Sequence, residues 1–127
     1  MSEAVFDTNI LVDHLNNSKE ATALVKQVED GLLSGYVSTI TLAELFSGKE
    51  ADDPVKRKIW SDLLDLFTKI EVSEDIAKSA GEMRRRHRVN LADALIAATA
   101  SSLRCKLFTQ NIRDFEGIVE ITAEKPY

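Results

Sequence analysis

The sequence predicts an α/β domain: a mainly parallel sheet of four to five strands with helices packed on both faces. The first observation behind this is that short apolar stretches of strand length alternate with stretches of helical period along the whole chain. The second is size and composition. At 127 residues, 44% hydrophobic and 29% charged, the chain suits one globular unit. It has no internal repeats, low-complexity tracts or linkers, so residues 1–127 are read as a single domain.

The elements follow in order. Glu3–Phe6 is a short apolar strand that halts at Asp7-Thr8-Asn9, residue types that cap and turn. Ile10–Leu15 is a short helix. From Lys19 to Leu33, apolar residues at 21, 24, 25, 28 and 32 keep a helical period, with Gly35 just past the end. Tyr36–Thr39 reads as a strand and Thr41–Phe46 as a helix ending near Gly48. After the polar stretch Lys49–Asp53, Pro54 is placed to open a helix with the stripe Val55, Ile59, Trp60, Leu63, Leu64 and Phe67. That stripe is a core face or a partner contact, and Trp60 is of a type found at interface hot spots. Lys69–Val72 is a strand, Glu74–Arg86 a helix and Leu91–Leu103 an alanine-rich helix. Lys106–Thr109 is a strand, and Val119–Thr122 another after a short helical turn.

No apolar run approaches the roughly 20 residues that span a bilayer, so no membrane partner is expected. Glu3 and Asp7 stand where a secretory signal would need a basic flank and an apolar core. Cys105 is the only cysteine and suits a reducing cytoplasm. The formal charge of −5 argues, as an average, against nucleic acid. Its distribution argues the other way. Residues 1–53 carry net −7 and residues 54–127 net +2, and from Met83 to Arg113 seven basic residues accompany a single acid, Asp93. Four of the seven arginines, Arg84, Arg85, Arg86 and Arg88, fall within five residues. Such a run is either a solvated helix end, favoured by the helix dipole, or a clamp for RNA phosphates.

Ligands of parallel α/β sheets gather at the carboxyl ends of the strands. Asp7 ends the first strand, Glu44 follows the second, Asp93 opens the alanine-rich helix, and Asn111 and Asp114 follow the strand Lys106–Thr109. Hard oxygen donors of this kind suit Mg²⁺ or Mn²⁺, which would relieve the repulsion among clustered carboxylates. A purely structural account also exists. Thr41-Leu-Ala-Glu44 matches a capping box with Thr41 as N-cap. Asn90 to Asp93 and Asn111 to Asp114 share that spacing, and Asp7 is a good helix cap by itself. His14 and His87 belong to no triad or zinc pattern and read as structural or surface residues, and Cys105 as a small core residue.

The segments Val5–Asp13, Thr41–Gly48, Leu91–Ala100 and Leu107–Phe115 resemble the four signature blocks of PIN domains, most closely the VapC toxin branch of toxin–antitoxin systems. The resemblance implies a three-layer α/β/α fold and a Mg²⁺- or Mn²⁺-dependent endoribonuclease. It matches Asp7, Glu44 and Asp93 to the acidic metal ligands, with Glu44 as ligand or as a base through water. Thr8 would support the site through its hydroxyl, and Asn9 would brace the loop around Asp7. Many relatives have a fourth acid where this chain has Asn111, a neutral carbonyl ligand; Asp114 either compensates or caps the next turn. The resemblance also implies a homodimer, silenced by a cognate antitoxin protein.

Two rival classes make different demands. A phosphoacceptor receiver domain wants paired acids after the first strand and an acceptor Asp after the third, whereas here Thr8 follows a lone Asp7 and Ser73-Glu74 follow Val72. An inert PIN-like binding module would tolerate loss of the acids, yet Asp7, Glu44 and Asp93 are all present.

Overall fold

The alternation of strand and helix is realised from end to end in a computed structural model, which describes residues 2–127. In chain order the elements are β1 (Ser2–Phe6), α1 (Thr8–Leu15), α2 (Lys19–Glu29), β2 (Leu33–Ser38) and α3 (Thr39–Phe46). A 3-10 turn (Lys49–Asp52), α4 (Pro54–Leu64), β3 (Thr68–Ile70), α5 (Glu74–His87) and α6 (Leu91–Leu103) follow. The chain closes with β4 (Lys106–Phe108), a second 3-10 turn (Ile112–Phe115) and β5 (Ala123–Glu124). The five strands form one sheet of order β3-β2-β1-β4-β5, and every neighbouring pair runs parallel.

Successive strand side chains point to opposite faces, so β1 feeds two cores. Ala4 and Phe6 enter the one filled by Ile10 and Leu11 of α1, Leu24, Val25 and Val28 of α2, and Leu63 and Leu64 of α4. Val5 enters the other, filled from α5 and α6 by residues such as Met83, Ile96 and Ala97. Three layers, α/β/α, result. Phe6 sits edge-on to Phe67 and Phe108, with ring centroids 4.9 and 5.6 Å away. Gly35 of β2 faces the same core at a position too tight for a side chain: a Cβ there would lie 2.8 Å from the Phe67 ring. On the opposite face, the buried alanines 94, 97, 98 and 100 let α6 lie close to its neighbours.

The termini of the helices show which local signals decide. Ser18, Asp53, Ser73 and Asn90 each cap a helix by accepting a backbone N–H, and Pro54 takes the first turn of α4. α2 stops at Glu29 rather than Leu33, because Gly31 turns the chain at φ +76° and leaves Leu32 exposed. The expected strand Val119–Thr122 is a turn instead. Gly117 at φ +85° starts it, Ile118 and Phe115 pin it to the core, and pairing with β4 begins only at Thr122. In α4, Trp60, Leu63 and Leu64 are buried, and Phe67 beyond it too, but Val55 and Ile59 are exposed. Trp60 lies edge-on to Phe46 at 5.5 Å, so it serves this chain's own packing. Among the described residues no helix is long and apolar enough to cross a membrane.

Candidate active site

The sheet order reverses between β1 and β4: β2 and β3 extend to one side of β1, while β4 and β5 extend to the other. Such a switch point opens a crevice at the carboxyl ends of its two strands. Asp7 stands there, its backbone N–H donating to Phe108 O at 2.9 Å, and its side chain is only 5% exposed. One carboxylate oxygen accepts the Thr8 N–H at 2.8 Å. The other accepts Asn9 Nδ2 at 3.0 Å and the Thr109 hydroxyl at 2.7 Å. Asp7 therefore caps α1, and it is also bound to the end of β4. Thr109, fully buried, was not singled out from the sequence. Its position just after a strand was the available signal. Its Oγ also accepts the Asn111 N–H at 3.0 Å.

Glu44 is not part of a capping box. The N-cap of α3 is Ser38, which ends β2 and accepts the Ile40 N–H at 3.2 Å, so Thr41 lies inside the helix and fully buried. Glu44 does not reach back to a capping backbone N–H and instead accepts the hydroxyl of Thr8 at 2.6 Å. Asp93 has a mixed role. Asn90 caps α6 by accepting the Asp93 N–H at 2.8 Å, and its Nδ2 donates to Asp93 Oδ2 at 2.8 Å. Asn111 makes no capping bond with its side chain.

Four acids feel one another across these segments. Burial, then the charges of Asp7, Asp114 and Glu44, push Asp93 up to about 6, against the lowering hydrogen bond from Asn90. Asp7 is raised by burial, with Glu44 and Asp114 adding to it and the bonds from Thr109 and Thr8 opposing. Among the described residues none of the four pairs with a lysine, arginine or histidine. Nor do any three His, Cys, Asp or Glu side chains among them already converge to hold a metal. The donor set nevertheless fits a hard divalent cation, because Mg²⁺ binds through one or two carboxylates and keeps several waters. An uncompensated group of carboxylates is stabilised by such a charge.

A groove of about 350 Å³ continues from Asp93 and Asp114, bordered by His87, Arg88, Asn90 and Arg113. Arg88 thus reaches the acids' neighbourhood, whereas Arg84, Arg85 and Arg86 are exposed on the last turn of α5 and do not line this groove. Arg113 was not singled out from the sequence. Asn111 borders a different groove, of about 480 Å³, with Gln110 and Lys125; Asp114 borders both. His14 bonds Thr22 at 2.9 Å and His87 bonds Glu120 at 3.2 Å, and Cys105 is half-buried against the second core. A larger cleft of about 520 Å³, between Glu3, Arg104 and Lys106, opens at the amino ends of the strands and contains none of these four acids.

The PIN domain family model matches residues 4–120. The chain is 36% identical over 115 residues to ribonuclease VapC10 of Mycobacterium tuberculosis, covering 86% of this chain and 83% of that protein. It is 31% identical over 117 residues to ribonuclease VapC19 of the same organism, covering 87% and 90%. Among solved structures, a toxin–antitoxin complex from Klebsiella pneumoniae is similar at 33% identity and TM-score 0.77 over 98% of both chains. DNA-bound VapBC from Salmonella typhimurium shares the fold at TM-score 0.82, with 23% identity over 100% of both chains. The chain belongs to the PIN-domain family, among its VapC-type members.

Proposed function

We propose that this protein is a metal-dependent endoribonuclease that hydrolyses RNA phosphodiester bonds, the toxin of a type II toxin–antitoxin system. The observation that carries the reading is electrostatic: Asp7, Asp114 and Glu44 add to burial in raising Asp93 to about 6, and among the described residues no basic residue pairs with any of the four. The ribonuclease names of the VapC relatives and the toxin–antitoxin neighbour support it.

Asp7 and Asp93 are assigned to hold the principal ion, Mg²⁺ or Mn²⁺, which when bound supplies a water of lowered pKa and offsets charge on the phosphodiester under attack. Thr109, Thr8 and Asn9 fix the Asp7 carboxylate by occupying three of its acceptor positions. Asn90 does the same for Asp93 while leaving its second oxygen free of side-chain bonds. Glu44, with Oε1 held by Thr8, keeps Oε2 to serve as a ligand to that ion or as a base acting through water. Asp114 supplies the fourth negative charge; Asn111, facing another groove, contributes a neutral carbonyl beside it. Arg84, Arg85, Arg86 and Arg88 attract the RNA backbone, and Arg88 with Arg113 brackets it next to Asp93. The proposed setting is the cytoplasm, as a homodimer with Val55 and Ile59 of α4 available for contact, restrained by an antitoxin protein.

Sequencing the 5′ ends of cellular RNAs after brief expression of the wild type and of Asp93→Asn tests this reading. New 5′ ends made only by the wild type are expected. Identical end profiles would overturn it.

A further inference from the structure

Thr41 is fully buried within α3 and has so far had no task. A buried helical threonine commonly donates its hydroxyl proton to the carbonyl four residues earlier. Thr99 in α6 does so, with its Oγ 2.8 Å from Leu95 O. Thr41 instead reaches out of its helix, and its Oγ lies 2.9 Å from the Oγ of Thr8 in α1. The Thr8 Oγ lies in turn 2.6 Å from Glu44 Oε1. Thr8 has one hydroxyl proton, and an ionised carboxylate can only accept. That proton therefore goes to Glu44, and the Thr41–Thr8 contact is a hydrogen bond only if Thr41 donates. The order of donors is fixed: Thr41 to Thr8, Thr8 to Glu44.

We propose that Thr41 is a positioning residue for Glu44, acting through the Thr8 hydroxyl. Glu44 is an exposed side chain whose rotamers nothing else restrains among the described hydrogen bonds. Thr41 lies three residues before it on the same helix, so the chain Thr41–Thr8–Glu44 closes back onto α3 and spans to α1. Donation from Thr41 holds the Thr8 rotor with its proton toward Oε1, and consecutive hydrogen bonds of this kind strengthen one another. Oε2 is then left directed to other partners. The inference rests on the reading of Glu44 as part of a divalent-cation site.

Groups that hydrogen-bond a metal ligand from behind change its affinity by about 10- to 100-fold on removal; Thr41 stands one bond further away, so a loss of about three- to tenfold is expected. The test is calorimetric titration of the whole metal-free chain with Mn²⁺. Thr41→Val should weaken binding by that factor and Thr41→Ser should restore it. Thr99→Val, which removes an equally buried helical hydroxyl unconnected to the acids, should leave it unchanged. In a Thr8→Val background, Thr41→Val should cause no further loss. Wild-type affinity in Thr41→Val, or an equal loss in Thr99→Val, overturns the proposal. Should Thr41→Val fail to fold, Thr41→Ala, which lacks the hydroxyl and adds no bulk, takes its place with the same expectations. If Glu44→Gln binds Mn²⁺ as the wild type does, the reading of Glu44 as part of the cation site fails and the role of Thr41 falls with it. A loss in Glu44→Gln but none in Thr41→Val removes the role of Thr41 alone.

Discussion

Asp93→Asn should make the metal-free protein more stable at pH 8 while abolishing RNA cleavage. In the folded chain the Asp93 carboxyl is raised from 3.8 to about 6. Two units correspond to about 3 kcal/mol, a ceiling that solvent screening of a partly exposed carboxyl lowers to about 1 kcal/mol. The folded state holds this proton more tightly than the unfolded chain does. Stability from Asp93 is therefore fully present below pH 4 and is lost as pH rises through about 6. Asn has no proton to lose and can still accept a hydrogen bond from Asn90. The gain should be near zero at pH 4 and reach about 1 kcal/mol at pH 8, or a rise in Tm of about 3 °C for a domain of this size. Scanning calorimetry in EDTA at both pH values reads it, and Mn²⁺ should reverse the order at pH 8 by stabilising only the wild type. If Asp93 were merely a favourable charge in the first turn of a helix, its loss would cost about 0.3–1 kcal/mol instead. A variant less stable than wild type at pH 8 in EDTA would refute the electrostatic reasoning.

Thr109→Val removes the donor 2.7 Å from the buried Asp7 carboxylate. A loss of about 2 kcal/mol in urea denaturation at pH 8 is expected, shrinking at low pH once Asp7 is protonated; a loss independent of pH would contradict the assignment. Gly35→Ala sets a Cβ 2.8 Å from the Phe67 ring and 3.1 Å from Val28, so the Phe6–Phe67 pair must shift, for about 1–3 kcal/mol. Arg88→Gln and Arg113→Gln should each lower the salt slope of single-stranded RNA binding by about 0.7, measured by fluorescence anisotropy in a Glu44→Gln background. An unchanged slope in both would remove them from the RNA path.

What could be read from the sequence was whatever rests on local signals. Pro54 and Asp53 fix the start of α4, and Asn90 with its alanine-rich face fixes α6 at the expected residues. α3 was misplaced because Ser38 serves at once as the last residue of β2 and the cap of the helix, leaving no loop to mark the boundary. β5 consists of two residues defined by their partner: Thr109 N–H meets Glu124 O and Leu107 N–H meets Thr122 O, contacts that no local pattern encodes. The candidate acids stood out by charge and by following strands. Thr109 carries no charge, and its bond to Asp7 joins positions 102 residues apart. Arg113 escaped notice for a similar reason, since only folding brings it alongside Arg88 and Asp93. The capping-box account of Glu44 needs a bond from the Thr41 backbone N–H, whereas the carboxylate accepts the Thr8 hydroxyl of another helix, a contact that only folding creates.

The central claim is that Asp7, Glu44 and Asp93 act together on RNA through a divalent cation. The most direct measurement compares cleavage of an end-labelled RNA by the purified wild type, Asp7→Asn, Glu44→Gln and Asp93→Asn, with Mn²⁺ and with EDTA. Asn and Gln keep the shape and the capping capacity of the acids they replace. Cleavage by the wild type only with the metal, and by none of the three folded variants, is the predicted result. Wild-type rates in all three variants would contradict it.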